Sequence, residues 1–234
     1  MQITPLGDSA VIVRVRDDFS VPDETLRAVL AARRAIEAAR IGGVIECTTA
    51  YTTVAVFYDP TLLKSTKGDG LFESLVAEIR DALSSVAALG DRRRPRNVTE
   101  IPVCYDSEFA PDLAAVAQHA DLSTAQVVDL HCGAAYRVAC LGFTPGFPYL
   151  AGLPDKLATP RRATPRKVIP AGSVAIGGSQ TGIYPTHSPG GWNIIGRTPF
   201  RLFDPEKNPP ALLQPGERVR FHAITREEFD AQAR

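Results

Sequence analysis

The strongest constraint on the fold of this chain is a change of sequence pattern near residues 91–97. Before it, two helical patterns are interleaved with pairs of strands, which is typical of a two-layer α+β domain. After it, short strands are separated by turns rich in Gly and Pro, which is typical of an antiparallel barrel or sandwich. The pattern therefore predicts an α+β protein with one domain at 1–90, a linker at 91–97 and a second, strand-rich domain at 98–234.

In the first domain, some segments have the composition of strands and others have apolar residues at helical spacing. The segments "AVIVRV", "VIECTTA" and "TTVAVFYD" are rich in β-branched residues and are predicted to be strands. A helix is predicted in "SVPDETLRAVLAARRAIEAAR", and a second one from Leu71 to Leu89, where apolar residues recur with a period of 3.6. The linker "GDRRRPRN" has the composition of a solvated connector, and docking of a partner is the alternative.

The second domain begins with a predicted strand, "TEIPVCYD", and two short helices, "PDLAAVAQHA" and "STAQVVDLHCG". Ser123 and Gln126 form a capping-box pattern at the start of the second helix. Further strands are predicted in "YRVACLGF", "KVIPAGSVAIGG", "WNIIGRT", "FRLFD" and "ERVRFHAI".

Composition excludes several classes of partner. Lys plus Arg and Asp plus Glu balance at 26 each, which argues against nucleic acid or an anionic membrane as the main partner. No run approaches the length of a membrane span, and the N-terminus has no signal-peptide pattern. The four cysteines form no CxxC pair, so we expect reduced cysteines in a cytoplasmic protein.

Three segments of the second domain are dense in Gly and Pro, at 142–154, 159–173 and 180–192. Glycine loses the most backbone entropy on ordering, whereas proline narrows the unfolded ensemble, so the combination suits a rigid, curved surface that a ligand can approach. We expect these segments to line a binding site at the rim of the barrel. The alternative is a rim that is only packed by aromatic residues and held by turns.

The candidate site contains aromatic walls, arginine side chains and glycine backbone. Gly190 and Gly191 can offer backbone N–H groups to a carboxylate, phosphate or oxyanion, and Trp192 can form a floor. Arg161 and Arg166 present planar forks for an anion. The predicted substrate-binding residues are Phe143, Pro145, Phe147, Arg161, Arg166, Gln180, Tyr184, Ser188, Gly190, Gly191 and Trp192.

Familiar catalytic patterns do not occur. The glycines of "GGSQTG" are followed by Ile183 and Tyr184, where a phosphate loop requires Lys and then Ser or Thr. There is no GxSxG, and the spacing of Cys and His fits no usual zinc site, so no metal is predicted. His131 is the candidate catalytic group, either as a proton carrier or in a structural hydrogen bond. The chain thus has binding groups without an obvious nucleophile, as half of a composite active site would.

The segments "LHCGAAYRVACLGFTPGFPYLAGLP", "TPRRATPRKVIPAGSVAIGGSQTGIYP" and "SPGGWNIIGRTP" occur together and in order. They resemble the family of the 5-oxoprolinase B subunit, also called allophanate hydrolase subunit 1 or the C component of a carboxyltransferase domain, which includes KipI-like proteins. The resemblance covers nearly the whole chain. It implies an N-terminal ferredoxin-like α+β domain and a C-terminal cyclophilin-like β-barrel.

The resemblance also implies an activity. Family members pair with a larger C subunit, similar to allophanate hydrolase subunit 2, and together with an A subunit they cleave 5-oxo-L-proline to L-glutamate using ATP. The isolated chain is therefore expected to be inactive. The implied chemistry is phosphorylation of the lactam oxygen followed by hydrolysis of the activated ring. ATP is expected at the level of the complex, and the substrate is a small anion.

Two other functions stay open from the sequence. One is a regulatory protein that inhibits a histidine kinase, which predicts binding to a kinase without the large subunit. The other is a component of an allophanate hydrolase or a urea carboxylase-type carboxyltransferase, which predicts dependence on allophanate or on a biotinylated carrier. No biotin-accepting segment is visible in the chain, and this weakens the carboxyltransferase alternative.

Overall fold

The computed structural model describes residues 1–20, 22–64, 70–84 and 98–233. The chain forms two compact units, Met1–Pro95 and Arg96–Arg234, called here the N-terminal and C-terminal units. The predicted linker at 91–97 and the last residues of the predicted second helix lie outside the described residues. Within the described ranges, none of the helices combines the length and the hydrophobicity of a membrane span.

The N-terminal unit is a four-stranded antiparallel sheet with two helices. Its strand order, β1-β2-β4-β3, is that of a ferredoxin-like sheet in which the first strand of the chain occupies the edge position of the usual last strand. Alternate residues of the two central strands are buried against the apolar stripes of the helices. The elements are β1 Gln2–Pro5, β2 Ala10–Arg14, α1 Pro22–Ala39, β3 Val44–Ala50, β4 Thr53–Tyr58 and α2 Leu71–Ser84.

The C-terminal unit is a closed barrel of seven strands in the order β10-β7-β6-β13-β5-β12-β9, with a separate two-stranded ribbon of β8 and β11. Strand β13 is parallel to β5 and antiparallel to β6. The elements are β5 Val98–Cys104, α3 Leu113–Ala120, α4 Thr124–Gly133, β6 Tyr136–Leu141, β7 Pro148–Ala151, β8 Arg166–Ile169, β9 Ser173–Gly177, β10 Gln180–Ile183, β11 Ser188–Gly190, β12 Asn193–Arg197, β13 Arg218–Ile224 and α5 Arg226–Gln232.

Residue chemistry explains where these elements begin and what they bury. Helix α4 begins at the predicted capping box, in which the Ser123 hydroxyl accepts from the Gln126 N–H and the Gln126 side chain accepts from the Ser123 N–H. Helices α3 and α4 pack Val116 and Val127 onto the barrel core. The predicted α+β class, with a ferredoxin-like domain followed by a cyclophilin-like barrel, is confirmed.

Some element assignments from the sequence are wrong. Strands β7, β10 and β11 lie in segments that their Gly and Pro content predicts to be loops. Gly182 in β10 is explained by packing, because a Cβ there would lie 2.8 Å from the Phe147 ring. Conversely, "FRLFD" is not a strand and contributes only the isolated bridge Phe203↔Ala211. Prolines crowd this region and lack the N–H needed to extend a ladder.

Candidate functional site

A second apolar cluster lies on the outer face of the barrel wall. Strand β9 shows this directly, because Val174 and Ile176 belong to the barrel core while Ala175 between them belongs to the second cluster. On β7, likewise, Leu150 belongs to the barrel core and Tyr149 packs against the second cluster. The residues of the second cluster therefore lie on the outer face of the barrel wall, and the expected role of this region in binding stays a prediction. We call this group the outer-wall cluster: Phe147, Ile169, Ala175, Tyr184, Trp192 and Ile194, with Tyr149 and Phe143 against it.

The outer-wall cluster is built from edge-to-face aromatic contacts. The Phe147 ring is 5.1 Å from Tyr184 and 5.6 Å from Trp192, at interplanar angles of 77° and 85°. Tyr149 lies 5.8 Å from Trp192. This geometry places positive ring edges on negative ring faces. The cluster is therefore a small second core, and a ligand can bind only at its exposed edge.

Two glycines make room for the rings of this cluster. A Cβ on Gly177 would lie 2.5 Å from the indole of Trp192, and a Cβ on Gly190 would lie 2.3 Å from the hydroxyl of Tyr184. That hydroxyl is also hydrogen-bonded by the backbone of Trp192. Ring packing thus accounts for Gly190, which also pairs with Arg166 between β11 and β8. Gly191 accepts a hydrogen bond from the Arg162 N–H through its carbonyl oxygen.

Phe143 forms the exposed edge of the cluster. Its side chain is 57% exposed, although its ring contacts Phe147 and Tyr184. Its φ of 68° is in the left-handed region, which is unfavourable for a bulky residue. A tight turn holds it, since the Gly142 N–H donates to the Phe147 carbonyl and the Phe147 N–H to the Thr144 carbonyl. Pro145 lies exposed in the same turn.

Arg161 brings a positive charge to this edge. Its guanidinium carbon lies 5.8 Å from the centroid of the Trp192 ring, within the range of a cation–π contact. The side chain is exposed and makes no ion pair with any residue in the described part of the chain. Burial raises the pKa values of Tyr149 and Tyr184, and the charge of Arg161 partly opposes this in both. Arg161 is therefore a cation that an anionic ligand can reach.

Arg166, by contrast, is engaged within the protein. Its Nη1 and Nη2 atoms donate to the two carboxylate oxygens of Asp112 at 2.7 and 2.8 Å. Arg162 donates to the same carboxylate at 2.7 Å. Asp112 did not emerge from the sequence. The feature of the sequence that points to an acidic partner is the group of three arginines Arg161, Arg162 and Arg166.

The Asp112 carboxylate is stabilised as an anion although it is buried. Burial by itself raises the pKa of a carboxyl group, but here hydrogen bonds from Arg166 and from the Ile194 N–H, with the charges of Arg166 and Arg162, hold the pKa of Asp112 below its ordinary value. The Ile194 N–H donates to Oδ2 at 2.7 Å. The carboxylate is therefore a fixed structural charge at neutral pH.

His131 lies in the barrel core. Thr181 donates its hydroxyl proton to the Ala175 carbonyl, so His131 Nε2 must donate to Thr181 Oγ1, at 3.1 Å. His131 Nδ1 then accepts from the Tyr105 hydroxyl at 2.8 Å. The ring stacks on Phe221, and burial lowers the pKa of His131 to about 3. This geometry favours the structural hydrogen-bonding alternative over the proton carrier.

The remaining predicted binding residues lie on the ribbon and on β10. Ser188 on β11 has a buried hydroxyl that makes no hydrogen bond to the described residues. Gln180 begins β10 and is half-buried. The structure therefore gathers Phe143, Phe147, Tyr184 and Trp192 into one cluster, with Arg161 above its indole.

Comparison with known proteins agrees with this architecture. The sequence model of the family described as "Carboxyltransferase domain, subdomain C and D" matches residues 1–213. The chain is 42% identical over 233 residues to the 5-oxoprolinase B subunit of Bacillus subtilis (strain 168), covering 98% of this chain and 95% of that protein. It is 59% identical over 122 residues to the 5-oxoprolinase B subunit of Escherichia coli O157:H7, covering 52% of this chain and 56% of that protein.

A crystal structure of TTHA0988 has the same fold, with a TM-score of 0.75 and 38% identity. The match covers 92% of this chain and 40% of that one, so this chain spans less than half of its length. The resemblance to the 5-oxoprolinase B subunit is confirmed by the family match and by the identity along nearly the full chain. The chain therefore belongs to the family of the carboxyltransferase domain, subdomain C and D.

Proposed function

We propose that this chain is the B subunit of an ATP-dependent 5-oxoprolinase that hydrolyses 5-oxo-L-proline to L-glutamate, and that it acts together with the C and A subunits of that enzyme. The observation that carries the proposal is the 42% identity to a 5-oxoprolinase B subunit over 98% of this chain and 95% of that protein. In the overall reaction, 5-oxo-L-proline, ATP and two waters give L-glutamate, ADP and phosphate: one water opens the lactam and the other ends up in the phosphate. In this proposal ATP is a substrate of the complex.

The chemistry of 5-oxoproline suits the exposed edge of the outer-wall cluster. The substrate has a small ring, a carboxylate that is ionised at neutral pH, and a lactam with one N–H donor and one C=O acceptor. In this proposal Arg161 binds the carboxylate, since its guanidinium is exposed and has no ion-pair partner in the described part of the chain. The apolar side of the ring packs on Phe143 and Tyr149. Arg166 does not take this role, because Asp112 occupies its fork.

The Ser188 hydroxyl offers a further polar contact. This hydroxyl is buried, so in the proposal it contacts the ligand only if strand β11 shifts to expose it. Gln180 is the other polar side chain proposed for the lactam group, with Pro145, Gly190 and Gly191 shaping the surface. In this proposal the larger C subunit covers the exposed edge and supplies the catalytic groups.

Reconstitution tests the proposed function. We expect 5-oxoproline-dependent ATP hydrolysis and glutamate release when this chain is mixed with the A and C subunits, and neither when any one of the three is omitted. Glutamate is quantified by an enzyme-coupled assay, with L-proline, which lacks the lactam carbonyl, as the control substrate. Activity that required a biotinylated carrier in place of 5-oxoproline would favour a carboxyltransferase, the alternative that the family description supports.

Replacing Arg161 by Gln is expected to raise the KM for 5-oxoproline about 10- to 100-fold, because a charge-assisted hydrogen bond to the substrate carboxylate is lost. The kcat should change little, since the carboxylate does not react. Steady-state kinetics of the reconstituted complex measure both, and Arg201→Gln, an exposed arginine paired with Asp204, is the matched control. An unchanged KM would remove Arg161 from the site.

A further inference from the structure

Asp112 joins the start of helix α3 to two other parts of the C-terminal unit, residues 159–169 and strand β12, through one buried carboxylate. Its side chain is 5% exposed and lies at the start of helix α3. It accepts from Arg162 on the 159–165 segment, from both Nη atoms of Arg166 on β8, and from the Ile194 N–H on β12. All four donor–acceptor distances are 2.7 or 2.8 Å. Charge-assisted bonds this short are the strong class in proteins.

The backbone bonds around Asp112 show what the carboxylate holds in place. The Asp112 N–H donates to the Ile194 carbonyl, and the Arg162 N–H donates to the Gly191 carbonyl. Arg162 is adjacent to Arg161, and Gly191 is adjacent to Trp192. Arg161 and Trp192, which form the cation–π contact, are therefore each adjacent in sequence to a residue that is hydrogen-bonded in this network.

Asp112 also neutralises positive charge near Arg161. Asp112 is the carboxylate that faces the guanidinium groups of both Arg162 and Arg166. Without it, those two cations lose their fixed counter-charge beside the exposed Arg161. The Arg162 and Arg166 side chains are 36% and 25% exposed, so without Asp112 they can turn toward solvent. The bonds from Asn193 Nδ2 to the Pro160 carbonyl and from the Arg162 N–H to the Gly191 carbonyl do not involve the carboxylate, so the expected change is a looser placement of the Arg161 guanidinium over the Trp192 ring.

We propose that Asp112 is a positioning residue for substrate binding: it fixes Arg161 above Trp192 by clamping Arg162 and Arg166. Asp112 itself does not touch the substrate. This inference rests on the proposed function, since it deepens the role given to Arg161. It differs from a purely stabilising role, because stability alone requires no particular distance between the Arg161 guanidinium and the indole.

The first test uses the isolated chain and its single tryptophan, Trp192. The emission spectrum and the ratio of iodide to acrylamide quenching are measured for wild type, Arg161→Gln, Asp112→Asn and the exposed control Asp155→Asn, below the unfolding transition of each. Trp192 is only 6% exposed, so the emission spectrum is the main readout; iodide, as an anion, is drawn to a cation at the exposed rim of the indole. We expect Asp112→Asn to match Arg161→Gln in both readouts, and Asp155→Asn to match wild type.

The second test is a double-mutant cycle on the KM for 5-oxoproline in the reconstituted complex. We expect Asp112→Asn to raise the KM about tenfold with kcat nearly unchanged, and to have no further effect in the Arg161→Gln background. If Asp112→Asn fails to fold, Arg166→Lys takes its place, because it keeps the charge but loses the two-pronged bond.

The outcomes separate this inference from the proposed function. Additive effects in the cycle, or wild-type fluorescence for Asp112→Asn, would overturn the positioning role. So would identical fluorescence of Arg161→Gln and wild type, since Arg161 would then not lie on Trp192. If the wild-type complex does not consume 5-oxoproline, the proposed function fails, and the fluorescence comparison still decides whether Asp112 positions Arg161.

Discussion

Lowering the pH from 6.5 to 4 is expected to reduce the free energy of unfolding of the C-terminal unit by about 3 kcal/mol through His131 alone. Burial lowers the pKa of His131 from 6.5 to about 3 in the folded state. The unfolded chain therefore takes up the proton first as the pH falls. The contribution of His131 to the free energy of unfolding is nearly complete above pH 6.5. It declines as the pH falls from 6.5 to about 3 and does not change further at lower pH.

The single tryptophan makes this effect measurable, because Trp192 reports on the C-terminal unit alone. Urea unfolding is followed by Trp192 fluorescence across this pH range. The control is His119→Gln, at an exposed helix residue, for which we expect the same change of unfolding free energy with pH as in wild type. The His131 ring should also remain the neutral Nε2–H tautomer down to pH 4.5 in ¹⁵N spectra. A His131 ring that protonates near pH 6 in the folded protein would contradict the core assignment.

Replacing Phe147 by Ala is expected to destabilise the C-terminal unit by about 3–5 kcal/mol, the usual cost of a buried Phe-to-Ala change. Phe147 is 2% exposed and contacts Phe143, Tyr149, Tyr184 and Trp192. Its removal leaves a cavity at the centre of the outer-wall cluster. Urea unfolding monitored by Trp192 fluorescence gives the change in free energy.

Phe143→Ala is the matched comparison in the same turn. Its ring is 57% exposed, and Ala tolerates the positive φ better than Phe does, so we expect a loss below about 1 kcal/mol. Equal losses for the two variants would show that the cluster is not a packed core. Loss of substrate affinity in Phe143→Ala without loss of stability would support binding at the exposed edge.

The sequence predicted the architecture where hydrophobic periodicity was long and regular. Helix α2 and the β-branched strands β2, β3 and β4 were recognisable because alternate or 3.6-spaced residues face one core. The short strands β7, β10 and β11 were missed, since each contains a Gly or Pro that indicates a turn when seen alone. The reason for Gly182 lies in the Phe147 ring, which is distant in sequence.

The candidate site was predictable in composition but not in arrangement. The aromatic residues of the segments 142–154 and 180–192 do lie together, and Ile169 of the segment 159–173 packs with them; their role in binding stays a prediction. Whether Tyr149 faces into the barrel or out of it depends on the register of β7 against β6 and β10, which the local sequence does not show. The partner of Arg166 lies 54 residues away on Asp112, so only the folded chain separates Arg166 from the exposed Arg161.

The position of β13 between β5 and β6 has a consequence for synthesis on the ribosome. All four strands of the N-terminal sheet are complete once residue 58 has emerged, whereas the barrel cannot close until residue 224 has been added. Until then β5 and β6 each keep an unpaired edge, which is a template for aggregation. We therefore expect nascent or prematurely terminated chains to aggregate more readily than the complete protein.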